Sequence, residues 1–496
     1  MKFNLTSMRR MFLCVSLFPV LSACQDEFVE DADLNQEGAV ALSDGTLKIG
    51  KKITNPYSLK IMQQAFDELG GTRSGGNLQP THLYLKFSPK NVEQLRLLES
   101  DTSLFFYNYP LDVELIGEGG DYHDPSLPDS VPTYQYVCAP INYKLPDVEH
   151  EVLDEIYLEE DGVSSSLRSA SAISWESLEE KACLIAGDTA KPSETRGSKW
   201  YADGYLKYED TELGVVPLVG VQVRMRYHIA THTNVTNENG YFKSPVKLRS
   251  DCKYSIEWKR GDNFKIRPVS GLATADYVIQ NNHSSVNKTF SKSDNATQWY
   301  YASIFRGAKF CYYDDIAGLS RPEESLEMRA SNRDDGTAVG DYSTYGSTEI
   351  HIYRYDSNGR ERNSMQIYGT TVHELAHSIH CRVVGKSTYR DVSKSVKEAW
   401  TVGVANYFTY DKYKQFSRIW YDGIYSGLVD DLIDNDARGL WTCSSYVSGY
   451  TLLQVQNALK GAKTWSNFKA NIKKIKNNST ENGKIDQLFA HWYVSE

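Results

Sequence analysis

The run Thr370-Thr371-Val372-His373-Glu374-Leu375-Ala376-His377-Ser378 constrains this chain more than any other. It reads H-E-x-x-H inside an apolar segment. Val372, Leu375, Ala376, Ile379 and Val383 recur at helical spacing, which predicts a helix over about 366–383 with one face buried. On such a helix four steps of about 100° bring His377 back to within roughly 40° of His373. Both imidazoles can then reach one Zn²⁺, with Glu374 beside it as a base for water. The bland alternative is a surface helix carrying these three residues by chance.

A catalytic zinc site takes three protein ligands and leaves one position open. His380 lies on the same face, at i+7 from His373, but three ligands from one straight helix fit a tetrahedral ion poorly. Glu398 is the better candidate. It opens Glu398-Ala399-Trp400-Thr401-Val402-Gly403-Val404-Ala405-Asn406-Tyr407-Phe408, which is nearly all apolar. A carboxylate at the start of a buried helix needs a partner. A zinc ion would supply one, and so would the positive N-terminal end of the helix itself.

This arrangement resembles the gluzincin metallopeptidases, in which two histidines of H-E-x-x-H and a glutamate on a following helix hold zinc. The resemblance implies His373, His377 and Glu398 as metal ligands, Glu374 as general base and Zn²⁺ as cofactor. The implied reaction is hydrolysis of peptide bonds by a zinc-bound water. The metzincin pattern does not fit, since it wants glycine at His380 and histidine at Val383. One departure from the gluzincin pattern stands out. Thermolysin-like members carry an aspartate one turn after the glutamate, hydrogen-bonded to a ligand histidine, and Val402 stands there. The outer support of the site must be built differently, or the site is weakened.

An oxyanion needs a further donor. Tyr407, Tyr446, Tyr450 and His491 all lie downstream. Tyr446 and Tyr450 are favoured, as they open a segment predicted helical over 446–460. The chain holds 34 tyrosines, most of them expected to be packing residues. Upstream, Thr348 to Tyr353 alternates as a strand, in the place where gluzincins carry a substrate-pairing edge strand. Its His351 reads as half-exposed.

The N-terminus bears on compartment. Lys2, Arg9 and Arg10 precede a short apolar stretch and then Leu21-Ser22-Ala23-Cys24. The stretch is too short to span a bilayer and reads as a secretory signal. The small residues before Cys24 resemble the bacterial lipoprotein box, implying cleavage there and a lipid on Cys24. The acidic residues that follow resemble tethers of surface-exposed outer-membrane lipoproteins. The expected partners are a peptide or protein substrate and, through the lipid, a membrane. A formal net charge of −10 without a long basic run argues against nucleic acid.

The expected fold class is multidomain α+β. Residues 1–23 are the signal peptide and 24–78 an acidic tether and linker. A small α+β domain with a Ser-rich linker follows over 79–195, containing strands at 81–87, 104–106, 113–115 and 134–143 and a helix at 92–99. Residues 196–292 are an all-β sandwich. There Val216-Pro217-Leu218-Val219-Gly220-Val221-Gln222-Val223-Arg224-Met225-Arg226 reads as one strand, and Thr236-Asn237-Glu238-Asn239-Gly240-Tyr241-Phe242 supplies a turn. This pair resembles the carboxypeptidase-regulatory-like module, which implies no active site. Residues 293–496 form the mainly helical zinc-metallopeptidase domain with its edge-strand sheet. Six cysteines remain after Cys14 and Cys24, widely scattered, with no readable pairing. A competing function is a surface binding or adhesion lipoprotein with an inactive peptidase-like domain.

Overall fold

In the computed structural model, residues 46–70, 77–159, 173–187, 199–249, 251–269, 271–282, 284–332, 340–342, 349–356, 358–415, 424–433, 447–476 and 478–493 are described. The signal segment, Cys24 and its acidic tether lie outside them, as does Tyr446. The fold is mixed α+β.

Lys48–Lys52 pairs antiparallel with Val113–Ile116, and a separate three-stranded antiparallel sheet runs in the order Gln135–Pro140, His82–Phe87, His150–Ile156. The helix Val92–Glu99, capped by the Asn91 side chain, packs Leu98 onto it beside Leu85, Phe87 and Val137. Leu104 and Phe106 join this small core but form no strand; only Tyr107 makes an isolated bridge, to Tyr136. Burial of the apolar triplet, not extended pairing, explains its composition.

Residues 200–290 make two four-stranded sheets. One orders Tyr241–Leu248, Trp200–Asp210 and Val286–Phe290, with Gly214–Pro217 also on Trp200–Asp210. The other is antiparallel throughout: Asp276–Asn282, Cys252–Glu257, Gln222–Tyr227, Ala230–Val235. The expected strand over 216–226 is therefore broken. Its halves belong to different sheets, and Gly220 at φ +84° lies in the crossing between them.

A five-stranded sheet follows, ordered Lys259–Arg260, Phe264–Arg267, Leu326–Ser331, Glu349–Tyr353, Gly340–Tyr342. Its three middle strands are parallel. It crosses the expected boundary at 292/293, because Phe264–Arg267 pairs with Leu326–Ser331, some sixty residues downstream. Glu349–Tyr353 is not the edge strand expected; Gly340–Tyr342 runs antiparallel outside it.

The helical layer begins with Ala296–Tyr313. Next comes Ser364–Val384, the histidine helix, started by an Asn363/Gln366 capping box and stopped at Gly385, φ +85°. A short helix, Lys386–Arg390, leads to Lys394–Tyr413, the glutamate helix. These helices approach closely. A Cβ added at Gly307 would lie 2.8 Å from Thr371 Cβ, and one at Gly403 would lie 2.4 Å from Cβ of Val429, on the short helix Leu428–Ile433. Asp210, at the end of its strand, accepts from Arg306 at 2.7 Å and from the Tyr413 hydroxyl at 2.9 Å. Thr211 and Ser364 exchange hydrogen bonds at 2.9 Å, so the strand's end also anchors the start of the histidine helix.

The helix expected over 446–460 is only Leu452–Ala458, begun by a Thr451/Gln454 capping box. Trp465–Lys476 and Ser479–His491 complete the chain. Besides the small core of the three-stranded sheet, one large core cluster runs from Leu47 to Phe489, and Gly45–Glu496 forms one compact unit. No disulfide is present among the described residues. No described helix is long and apolar enough to cross a membrane.

Candidate metal centre

The i, i+4 spacing places His373 and His377 on one turn of the histidine helix, their ring centroids 5.0 Å apart. The glutamate helix packs alongside and presents Glu398. Trp400 locks the two helices: fully buried, it donates its indole N–H to the Ala376 carbonyl at 3.0 Å. Glu398 Oε2 lies 3.2 Å from His373 Nε2, and Glu398 Oε1 lies 3.5 Å from His377 Nε2. All three donors fall within 4.8 Å of one another. Metal–ligand bonds of about 2.0–2.1 Å at a tetrahedral ion place donors about 3.3–3.4 Å apart. The two histidine–carboxylate spacings, each to a different oxygen of Glu398, bracket that value, so the three residues could hold a metal ion. The set of two imidazoles and one carboxylate is also chemically apt for zinc. Among the described residues this is the one such cluster.

Glu374 is 2 % exposed, with Oε1 3.9 Å from His373 Nε2, beside the cluster and outside the donor set. Burial alone would raise the pKa of Glu398, but the His377 and His373 imidazoles outweigh it and hold the carboxyl below its ordinary range. Thr401 Oγ1 lies 3.3 Å from His373 Nε2 and 3.2 Å from the Glu398 carbonyl oxygen. Behind the site, His377 Nδ1 meets the Tyr389 hydroxyl at 2.9 Å. Val402 is fully buried and apolar, and the buried Nδ1 of His373 has no hydrogen-bonding partner among the described residues.

His380 does not join the donor set. It is fully buried edge-on to Tyr389, and burial, reinforced by His377 and Lys397, pushes its pKa down to about 3. His351 pairs with Glu349 on its strand, half-exposed as expected. Tyr450 is not brought to the cluster. It packs under Lys476 Nζ, 4.2 Å from the ring centroid, and its charged neighbour is Glu481. The segment before it is not helical as expected but passes to a cap at Thr451, which directs Tyr450 towards the C-terminal helices.

The tyrosine beside the cluster is Tyr425. Its ring centroid lies 6.4 Å from that of His373, and its pKa is pushed up to about 12 by burial and then by Glu398 and Glu374. Tyr389, Thr401 and Tyr425 all escaped sequence reasoning. Only Thr401 carried a usable signal, one helical turn from Glu398 on the same face. No protein-family model, no curated protein and no solved structure matches this chain.

Proposed function

We propose that this protein is a zinc-dependent metallopeptidase of gluzincin type, carried outside the cytoplasm on a lipid attached to Cys24. The observation that carries the reading is the convergence of His373, His377 and Glu398, their donors within 4.8 Å of one another, with Glu374 alongside. In this reading His373 Nε2, His377 Nε2 and Glu398 hold the cation. A zinc ion bound there would acidify water and polarise a substrate carbonyl. Glu374 then removes a proton from the attacking water and delivers it to the leaving amine. Its near-complete burial keeps bulk water from competing for that proton. Tyr425, protonated at neutral pH, can donate to the developing oxyanion. The two sheets over 200–290 suit the carboxypeptidase-regulatory-like sandwich as a supporting module. The substrate class is peptide or protein, and an outer-membrane, surface-exposed location follows from the sequence before residue 46.

One observation favours the competing reading of a binding lipoprotein with an inert domain. The expected acid after Glu398 is replaced by buried Val402, which leaves His373 Nδ1 without outer support. Both readings meet one experiment. Wild type and Glu374→Gln are assayed for metal content by mass spectrometry and for cleavage of casein. About one zinc in each, with cleavage reduced roughly 10²- to 10⁴-fold in the variant, supports the peptidase. Zinc in both with neither cleaving favours the binding protein. No bound metal in the wild type defeats the metal-centre reading altogether.

A further inference from the structure

The cluster has an unequal outer support, and that asymmetry is specific to this chain. His373 and His377 both turn Nε2 towards Glu398. Of the two opposite nitrogens, that of His377 contacts a side chain, the phenol of Tyr389 at 2.9 Å, whereas that of His373 has none. Tyr389 reaches this place because the histidine helix ends at Gly385, whose φ of +85° reverses the chain into Lys386–Arg390. The Tyr389 N–H donates to the Gly385 carbonyl at 2.9 Å, fixing the short helix against the end of the long one. The ring is 2 % exposed, packed edge-on against His380 and covered by Lys397 Nζ at 4.5 Å.

Building on the metal-centre reading above, we infer that Tyr389 is the positioning residue of the site. Its hydroxyl fixes the tautomer and ring orientation of His377, an outer support that His373 does not share. With Nε2 committed to a cation, Nδ1 of His377 must carry the proton and donate it, and the phenol oxygen accepts. A neutral phenol accepts without adding charge, whereas an acid at the same nitrogen would. With two neutral imidazoles and one carboxylate, a divalent cation leaves the inner set at a net positive charge. Tyr389 preserves that charge while still holding the ring.

The test compares wild type with Tyr389→Phe, which keeps the ring and removes one oxygen. Zinc affinity is measured by competition with a chromophoric chelator, and the melting temperature of the metal-free protein is measured in parallel. The expected result is a 10- to 100-fold loss of zinc affinity in Tyr389→Phe with the metal-free melting temperature unchanged. In the zinc-loaded wild type, the ¹H–¹⁵N spectrum should also show a slowly exchanging His377 Nδ1–H signal that is absent from the variant. An affinity within twofold of wild type would overturn the assignment. So would an affinity loss accompanied by an equal fall in metal-free stability, since the hydroxyl would then serve packing alone. Wild type that binds no zinc would instead sink the metal-centre reading, a different and distinguishable failure.

Discussion

Replacing Glu99 by glutamine probes how the N-terminal sheet is fastened to the sheet behind the histidine helix. Glu99 ends the helix Val92–Glu99, and its side chain is 7 % exposed. It accepts from Lys265 at 2.9 Å, from Arg267 Nη1 at 2.8 Å, and from the Thr274 N–H and hydroxyl at 2.8 and 2.9 Å. Burial works to raise its pKa, but Arg267 and then Lys265 prevail, bringing it from an ordinary 4.5 down to about 2. At about 1.4 kcal/mol per pH unit, that difference amounts to about 3 kcal/mol. Because the folded value lies below the unfolded one, this stabilisation is complete above pH 4.5 and is lost as the pH falls towards 2. Linkage leaves roughly half of it or less at pH 3. Glutamine preserves the shape and one acceptor but removes the charge, leaving Arg267 and Lys265 to Glu327. Urea unfolding followed by tryptophan fluorescence should show the variant less stable by about 3 kcal/mol at pH 7. At pH 3 the gap should shrink to about half of that or less. A gap of the same size at both pH values would refute the electrostatic account and leave packing as the cause.

Three further outcomes are expected. Glu398→Gln should lower zinc affinity by more than the roughly 10- to 100-fold typical of outer contacts, measured by chelator competition; full affinity would remove Glu398 from the donor set. Tyr425→Phe should retain zinc but lower kcat roughly 10²- to 10³-fold on a peptide substrate, and an unchanged kcat would exclude the hydroxyl from the reaction. Gly403→Ala drives a methyl to 2.4 Å from Val429 Cβ, so the glutamate helix must shift. It should cost about 1–3 kcal/mol by thermal unfolding, and a melting temperature equal to wild type would show the two helices to be less tightly packed than the geometry requires.

What was legible in the sequence was local. The histidine pair follows from helical spacing alone, and the boundaries of its helix follow from Asn363 and Gly385 acting as cap and stop. Glu398 was legible for an energetic reason, as a carboxylate heading an apolar run. What was illegible depends on contacts between distant segments. Glu349–Tyr353 reads as a strand by alternation, but its inner position is decided by Gly340–Tyr342 pairing outside it. Val216–Val223 reads as one strand because nothing local distinguishes a crossing between two sheets from continued extension. Tyr425 and Tyr389 were hidden among 34 tyrosines, and Tyr389 reaches the site through the chain reversal at Gly385. Tyr450, favoured by its place in an apolar stretch, was drawn instead to Lys476 and the C-terminal helices.

The electrostatics of the centre follow from that geometry. Glu374 and Glu398 are two carboxylates set around one histidine, one nearly and the other largely removed from water. Two carboxylates so placed repel each other and forfeit hydration. The surrounding structure nevertheless gives them little room to separate. Trp400 ties the glutamate helix to the Ala376 carbonyl, Gly403 lets that helix sit hard against Val429, and Asp210 binds Arg306 and Tyr413 on two neighbouring helices. In the proposed reading, a divalent cation held by His373, His377 and Glu398 would offset this repulsion and would leave Glu374 as the carboxylate able to take a proton.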